Sequence, residues 1–344
     1  IGITGSYGKT SAKFILATIL SERFDVLATP GSFNTPMGLT RVIREQLEPH
    51  HQVFIAEMGA RHAGDIRELV ELVRPAYGMI TSVGPQHLET FGDVATVANT
   101  KFELIEGLPQ DGVAFFGADG GEIDKLYERA TVEKHRAGLS GGYLSMRAEA
   151  IEVGPFGSRF QLIDSLGNRV ACETRLLGRH NIANIALCAA LARRLGMEMD
   201  QIGRGVGRIE PVEHRLQLIP GANGITVIDD AFNANPEGAQ AALQVLAAFP
   251  GRHLIVTPGM VELGEREEEF NYRFGVQVAS CCDIAILVGP RRVGPIQRGA
   301  LASGMAADRL HVVAGLAEAT ALLSRIGLPG DVVLFENDLP DNYS

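Results

Sequence analysis

Thr4-Gly5-Ser6-Tyr7-Gly8-Lys9-Thr10-Ser11 stands between a short apolar run, Ile1–Thr4, and a stretch from Thr10 to about Arg23 in which Phe14, Ile15, Thr18 and Ile19 recur at helical spacing. Strand, glycine-bearing loop with lysine, then helix make a phosphate-binding turn. The glycines let the backbone fold back so that its N–H groups and the helix N-terminus face phosphate oxygens. Lys9 supplies a point charge to the β- and γ-phosphates, and the Thr10 hydroxyl a ligand for Mg2+. The usual pattern GxxxxGK[ST] places glycine where this chain has Ile3, so the loop is a shorter TGxxGKT variant. The bland alternative is a glycine-rich turn with an exposed lysine, and the order of elements on either side speaks against it.

Outward from this loop the same rhythm repeats. Val53–Glu57 and Gly78–Val83 read as strands, Asp65–Val73 as an amphipathic helix ended before Pro75, Val94–Leu108 as a helix stopped by Pro109, and Val113–Phe116 as a further strand. Such alternation implies an α/β fold, a mostly parallel sheet with helices on both faces. Between Ala148 and Leu177 the pattern changes to short alternating runs broken by PFG and LGN, expected as antiparallel hairpins in a small appended sheet. Helix Ile182–Leu195 follows, and IEPVEHR near Arg208–Arg215 reads as a linker. Beyond it come Leu216–Ile219, Ile225–Asp229, Leu254–Thr257, Ile284–Val288, Leu310–Val313 and Val332–Phe335, the strands of a second, Rossmann-like doubly wound domain. The expected division is an ATP-binding domain over 1–209 and a second domain over 210–344.

Composition narrows the function. The 344 residues suggest two domains at about 150 residues each. A formal net charge of −10 argues against a nucleic-acid binder. No apolar run approaches the ~20 residues of a membrane span, and an apolar content of 46% argues against disorder. Cys172, Cys188, Cys281 and Cys282 form no CxxC pair and no disulfide framework, which fits a reducing, cytoplasmic compartment. The 40 glycines suit many tight strand-to-helix turns. The chain begins at Ile1, already in a strand, so a segment upstream is expected, and that segment could hold a membrane anchor. Lysine is rare: Lys9, Lys13, Lys101, Lys125 and Lys134 are all there are, so a lysine at a special position carries information.

Glu57, in IAEMGA, and His87, in SVGPQHLETFG, both fall at carboxyl ends of expected parallel strands, where ligands bind in open α/β sheets. A carboxylate and an imidazole there can hold metal beside phosphates. Taken singly, Glu57 could be a helix-capping acid and His87 a loop histidine.

TGSYGKTS, AEMGA, the PQHLETFG and TKFE segments, GRHNIANIALCAALA and DDAFNANPEGAQAAL follow one another in that order. This series resembles the Mur ligase family, ATP-dependent amide-bond ligases of cell-wall synthesis. DDAFNANP and HLETFG most resemble the branch that adds D-alanyl-D-alanine to UDP-N-acetylmuramoyl-tripeptide. The resemblance covers nearly the whole chain. It implies that Gly5, Ser6, Gly8, Lys9, Thr10 and Ser11 bind phosphates, that Thr10 and Glu57 hold one Mg2+, and that His87 holds a second. Lys101 matches a lysine often carbamylated in the family, a conversion that turns a cation into a carboxylate-like group able to approach metal. Lys9, Lys101, His87 and Arg215 are the implied catalytic residues. Asn181 and Asn184 match the segment that contacts adenine, with helix N-capping as the plain alternative. Arg215 and Asp230 match residues that reach the γ-phosphate and the ribose, and Asn233 lies in the same loop. Asn34 and Thr35 match a loop facing the muropeptide, where a simple turn is the alternative, and Asn235 is grouped with them as substrate-binding. The implied partners are small molecules, a muropeptide-like acid and an amino acid or dipeptide amine, with no nucleic acid; the implied state is a monomer.

The mechanism implied is activation of a carboxylate by the γ-phosphoryl group as an acyl phosphate, followed by attack of the amine and loss of phosphate. In the family the second domain closes to complete the ATP site and keep water out.

Departures from the pattern fall mainly on the acceptor side. The domain that holds the UDP-sugar end is absent from this sequence. Where the family carries a Lys-Gly-Ser-like segment after the last strand, VVLF runs into Glu336-Asn337-Asp338-Leu339-Pro340. Around Glu262–Glu265 the family has Gly-Asp-Met upstream and a histidine downstream, where this chain has Thr257-Pro258-Gly259-Met260 and Asn271. An acidic acceptor loop would suit a more cationic amine; a measured preference for neutral D-Ala-D-Ala over diamino acids or basic peptides would count against that. The alternatives are a cousin that extends a folate or poly-γ-glutamate chain, and an ATP-binding scaffold without ligase activity. The cousin that amidates lipid-linked muropeptide commonly has a four-cysteine zinc insert, for which the cysteines here are not spaced. A simple kinase or NTPase leaves the second domain unexplained.

Overall fold

The protein's computed structural model describes residues 1–31, 33–118, 120–232 and 235–338. Strand β1 (Gly2–Thr4) is fully buried and pairs in parallel on both sides, Ile3 opposite Glu57 of β3 (Val53–Glu57) and opposite Met79 of β4 (Tyr77–Ile80). A strand flanked on both edges and covered on both faces reads as a continuous apolar run, which is why Gly-Ile-Thr suffices. β2 (Val26–Ala28) lies outside β3, while β5 (Val113–Gly117) and β6 (Glu133–Gly138) continue beyond β4. Then come β7 (Met146–Gly154), β8 (Gly157–Asp164) and β9 (Arg169–Thr174). Among the described residues the sheet has nine strands, in the order β2-β3-β1-β4-β5-β6-β7-β8-β9.

The hairpin strands expected as a small sheet of their own thus extend the edge of the main sheet. β7 joins β6 in parallel, Ala137 opposite Met146, and β8 and β9 pair antiparallel. Pairing fills the row of backbone groups that β6 would otherwise leave open at an edge.

Helix α1 (Lys9–Leu20) follows β1, α2 (Pro36–Glu45) follows β2, and α3 (Asp65–Val73) follows β3. Between β4 and β5 run a one-turn α4 (Leu88–Phe91) and α5 (Val94–Glu106); α6 (Glu122–Arg129) precedes β6. After β9 come α7 (Arg179–Arg194) and α8 (Met199–Gly207). One core gathers Met58, Ile66, Leu69, Ile80, Leu104, Ile105 and Phe116 between the sheet and α3, α5 and α6. α1 is buried through Ala12, Ile15, Leu16, Ile19 and Leu20, and α7 through an almost unbroken apolar row that includes Cys188, whose thiol donates to the Ala12 carbonyl at 3.3 Å.

The chain divides into two compact units, one of residues 1–152 and 156–210, the other from 211 onward with 153–155. The second unit has its own six-stranded sheet among the described residues: β10 (Gln217–Pro220), β11 (Thr226–Phe232), β12 (His253–Thr257), β13 (Ile284–Val288), β14 (Leu310–Val313) and β15 (Val332–Asp338), in the order β10-β11-β15-β12-β13-β14. Only β10 runs antiparallel, against β11. Helices α9 (Pro236–Ala247), α10 (Glu267–Cys281), α11 (Gly294–Ala302) and α12 (Leu316–Ile326) complete it, with Leu254, Val256, Ile286, Leu322, Leu323 and Val333 in a core. All six strands expected from the sequence are present.

Candidate active site

The loop at 4–8 is shaped by two glycines. Gly8, which opens α1, sits at φ 76, and a Cβ there would stand 2.8 Å from Asn184 Nδ2. Gly5 sits at φ 153, and its Cβ would meet Thr81 Oγ1 at 2.0 Å. Both positions close the space an L-residue needs. Gly8→Ala is therefore expected to cost roughly 1–3 kcal/mol by strain and contact, and to weaken nucleotide binding with it; urea unfolding and ADP titration of the variant check both.

The loop is braced from the segment that follows β4. Ser6 N–H donates to Ser82 O at 2.9 Å, and the Ser6 hydroxyl donates to Gly84 O and accepts from Gly84 N–H, each at 3.0 Å. Tyr7 N–H donates to Ser82 Oγ at 2.9 Å and Tyr7 OH to Pro85 O at 2.6 Å. Ser6, grouped with the phosphate ligands from sequence, has both its N–H and its hydroxyl engaged in this brace. The first turn of α1 presents the N–H groups of Gly8, Lys9, Thr10 and Ser11, which have no acceptor within the helix, as at every helix start. Lys9 folds back on its own loop, Nζ donating to Gly5 O at 2.7 Å and Ser6 O at 3.4 Å.

One turn along, α1 meets the end of β3. The Thr10 hydroxyl donates to Glu57 Oε1 at 3.2 Å, and Asn34 Nδ2 donates to the same oxygen at 3.1 Å. Lys13 Nζ stands 3.0 Å from Glu57 Oε2, both side chains fully buried, while its directed hydrogen bond goes to the Gly31 carbonyl. Oε2 is thus held by an ion pair without an aligned hydrogen bond, and a buried carboxylate with a free lone-pair direction results. Beside it stand a hydroxyl and the phosphate-facing helix end. This hard-oxygen set suits Mg2+, which takes one or two carboxylates and completes its shell with substrate phosphates and water. Among the described residues no three His, Cys, Asp or Glu converge on one point.

Lys101, on α5, is 2% exposed, and its ammonium is disfavoured well below the ordinary range by burial first and by the charge of Lys9 second. Two residues on, Glu103 accepts from Gly64 N–H at 2.8 Å and Arg67 N–H at 3.0 Å, capping α3 and fixing the path of the chain after Glu57. His87 sits in the left-handed region at φ 49 and opens α4, half-buried, directly after the bracing segment.

The remaining candidates take varied places. Asn184 is 9% exposed and its amide packs on Gly8; Asn181 donates to Leu177 O at 2.8 Å within the start of α7. Asn184 thus stands at the back of the loop, Asn181 stays within the start of its own helix, and the N-cap of α7 is Gly178. Asn34 belongs to the Glu57 cluster, its carbonyl also accepting from Gly59 N–H at 3.0 Å. Thr35 caps α2, accepting from Gly38 N–H at 3.3 Å ahead of Pro36. Asn235 does the same for α9, accepting from Gly238 N–H at 2.8 Å ahead of Pro236.

In the second unit Arg215 lies between two residues with positive φ, His214 at 58 and Leu216 at 49. Leu216 is a branched residue in a region such side chains rarely enter. The segment is held by His214 Nδ1 against Asp229 Oδ2 at 2.7 Å and by Leu216 N–H donating to Asp230 Oδ1 at 3.1 Å. Asp230 faces Glu336 across the β11–β15 ladder. Burial raises the Asp230 carboxyl to about 6, with Arg215 pulling the other way. Glu336 is raised well above the usual range by burial and then by Asp230, and accepts from the Thr257 hydroxyl at 3.4 Å. Asn271 spends its amide on Met260 N–H and O, each at 2.9 Å, tying α10 to the turn after β12. Asn233, Leu339 and Pro340 lie outside the described residues.

The Asp230 shift has a stability consequence. A carboxyl whose folded pKa is raised holds its proton more tightly when folded, so its contribution favours the fold in mild acid and is lost as pH rises from about 4 through about 6. The size is about 3 kcal/mol. Asp230→Asn is expected to stabilise the second unit by ~1–3 kcal/mol near neutral pH and to make little difference near pH ~4; Tm measured across that range checks it.

Residues 3–192 match the Mur ligase middle domain, and residues 214–336 match the Mur ligase glutamate ligase domain. The UDP-N-acetylmuramoyl-tripeptide–D-alanyl-D-alanine ligase of Escherichia coli (strain K12) is 33% identical over 335 residues, covering 95% of this chain and 70% of that protein. The crystal structure of MurF from Acinetobacter baumannii superposes with a TM-score of 0.87 at 28% identity, covering 98% of this chain and 72% of that one. The MurF ligase from Thermotoga maritima in complex with ADP gives the same TM-score at 25% identity, covering 98% and 75%.

Proposed function

The chain belongs to the Mur ligase family, and we propose that it joins the free carboxylate of UDP-N-acetylmuramoyl-tripeptide to the amine of D-alanyl-D-alanine at the expense of ATP. Its relatives bear the name of that reaction over most of both chains. The observation that carries the reading is the junction of the phosphate loop with Glu57 through Thr10, and the burial of Lys101 within the field of Lys9.

In this reading Lys9 leaves its own loop carbonyls for the β- and γ-phosphates, and the N–H groups of Gly8, Lys9, Thr10 and Ser11 receive phosphate oxygens. Thr10 and Glu57 hold Mg2+, with His87 and Lys101 as the ligands proposed for a second ion. When bound, Mg2+ neutralises charge that grows on the phosphoryl oxygens. Lys101 suits carbamylation: its neutral amine attacks CO2, the C–N bond forms as a C=O electron pair moves to oxygen, and the amine's proton goes to solvent. The anion so formed removes the like-charge conflict with Lys9. Asn181 and Asn184 are assigned to adenine contacts, Arg215, Asp230 and Asn233 to phosphate and ribose, and Asn34, Thr35 and Asn235 to the muropeptide side. The carboxylate takes the γ-phosphoryl group with release of ADP, and the amine then displaces phosphate from the acyl phosphate.

We propose that it acts in the cytoplasm, as a UDP-linked substrate would require, and as a monomer. Among the described residues no helix is long and apolar enough to cross a membrane. ADP release measured with acid alone, amine alone and both together tests the reading, with D-Ala-D-Ala set against diamino acids. Release that needs both substrates, with an adduct of the expected mass, supports it. Release indifferent to the acid contradicts it. A clear preference for the diamino acid would overturn the assignment of D-Ala-D-Ala as acceptor and leave the activation chemistry in place.

A further inference from the structure

Lys13 is one of the largest fully buried side chains among the described residues. It lies on the apolar side of α1, in a row with Ala12, Ile15 and Leu16, where an aliphatic residue would normally sit. A buried ion pair is weak evidence for stability, because apolar replacements of similar volume are often as stable or more so. A lysine retained in that row therefore asks for a role beyond packing.

Its contacts supply one. Nζ stands 3.0 Å from Glu57 Oε2, donates to the Gly31 carbonyl, and lies over the Phe14 ring at 4.7 Å. Glu57 N–H donates to Thr29 Oγ1 at 3.2 Å, and Asn34 returns to Glu57 Oε1 at 3.1 Å. Lys13 thus joins two things that sequence keeps apart: the carboxylate at the end of β3, and the segment between β2 and α2. With the spacing i, i+1 and i+4, α1 presents Lys9 toward the phosphate loop and both Thr10 and Lys13 toward Glu57.

We infer that Lys13 is a positioning residue, one that fixes which way the Glu57 carboxylate faces and ties the Thr29–Asn34 segment to it, so that the divalent-ion ligand is set before nucleotide arrives. The inference rests on the reading of Glu57 as a Mg2+ ligand. The Lys13 ammonium meets Glu57, the Gly31 carbonyl and the Phe14 ring, so its effect is expected on the metal before the nucleotide.

The test is Mn2+ titration followed by electron paramagnetic resonance, with and without ADP, on the wild type, Lys13→Met and Lys13→Arg. Removing a residue that orients a metal ligand costs about 10–100-fold in metal affinity. Lys13→Met is expected to weaken Mn2+ binding in the presence of ADP by about tenfold, while ADP binding without divalent ion stays within twofold of the wild type. A structural role alone would lower Tm and leave the Mn2+ affinity of the folded fraction unchanged, and that result overturns the inference. If Lys13→Met does not fold, Lys13→Arg decides: the charge is kept but the planar fork cannot reproduce both contacts, so Mn2+ affinity should fall severalfold, and wild-type affinity overturns the inference. Should wild-type Mn2+ binding show no dependence on ADP, the assignment of Glu57 fails and this inference with it, a result distinct from equal binding by wild type and variant.

Discussion

Lys9→Ala is expected to lower ADP release in the presence of both substrates by roughly a thousandfold, with little change in Tm. Lys9 is the cation at the mouth of the phosphate loop, and its Nζ donates back to Gly5 O and Ser6 O. Those carbonyls can turn to water when it is gone, so the fold loses little. The transferring phosphoryl group loses a fixed positive charge at the moment when negative charge spreads over its oxygens, and removal of one such group in a water-poor site costs about 10²–10³-fold or more. Lys9→Arg should recover only a small part, because a planar guanidinium does not place a point charge where an ammonium does. Steady-state ADP release, with circular dichroism to confirm folding, checks the pair.

Lys101→Ala is the second large effect, again on the order of 10²–10³-fold in turnover. Its distinguishing feature is recovery. If the working group is a carbamate, the substitution removes an anion and leaves a space that acetate or formate can enter, and added carboxylate should restore activity in a saturable way. If the working group were an ammonium, small carboxylates would do nothing and a small amine would serve better. The burial of Lys101 at 2% exposure, where burial and then the charge of Lys9 disfavour its ammonium, supports the first outcome. Because a bare ammonium there is disfavoured, Lys101→Ala should not lower Tm steeply, so that loss of activity with a retained fold is the expected combination.

Much of this site could be read from the sequence. TGSYGKTS announced its own geometry, because glycine, lysine and threonine at that spacing between a strand and a helix have few other uses, and both glycines are sterically required. Glu57 was legible from its place at a strand end. Other features were hidden for physical reasons. β2 is three half-buried residues, too short for a periodic signal, and β6 reads Glu-Lys-His-Arg-Ala-Gly because most of its side chains are only partly covered. Thr35 and Asn235, grouped from sequence with the substrate side, each stand before a proline and cap α2 and α9. Lys13 and Asn34 were illegible as partners of Glu57, since the contacts span 44 and 23 residues of chain. The signals available were the scarcity of lysine and the step of four from Lys9. Ser6 is a residue inside the motif whose N–H and hydroxyl donate to Ser82 O and Gly84 O, long-range contacts that the motif itself does not announce.

The most direct test of the central claim follows one oxygen atom. UDP-N-acetylmuramoyl-tripeptide labelled with heavy oxygen in its reacting carboxylate is incubated with the protein, ATP, Mg2+, bicarbonate and D-Ala-D-Ala, and the released phosphate is weighed by mass spectrometry. Activation as an acyl phosphate predicts one labelled oxygen in the phosphate for each amide formed. Unlabelled phosphate, or phosphate released without amide, would contradict the account.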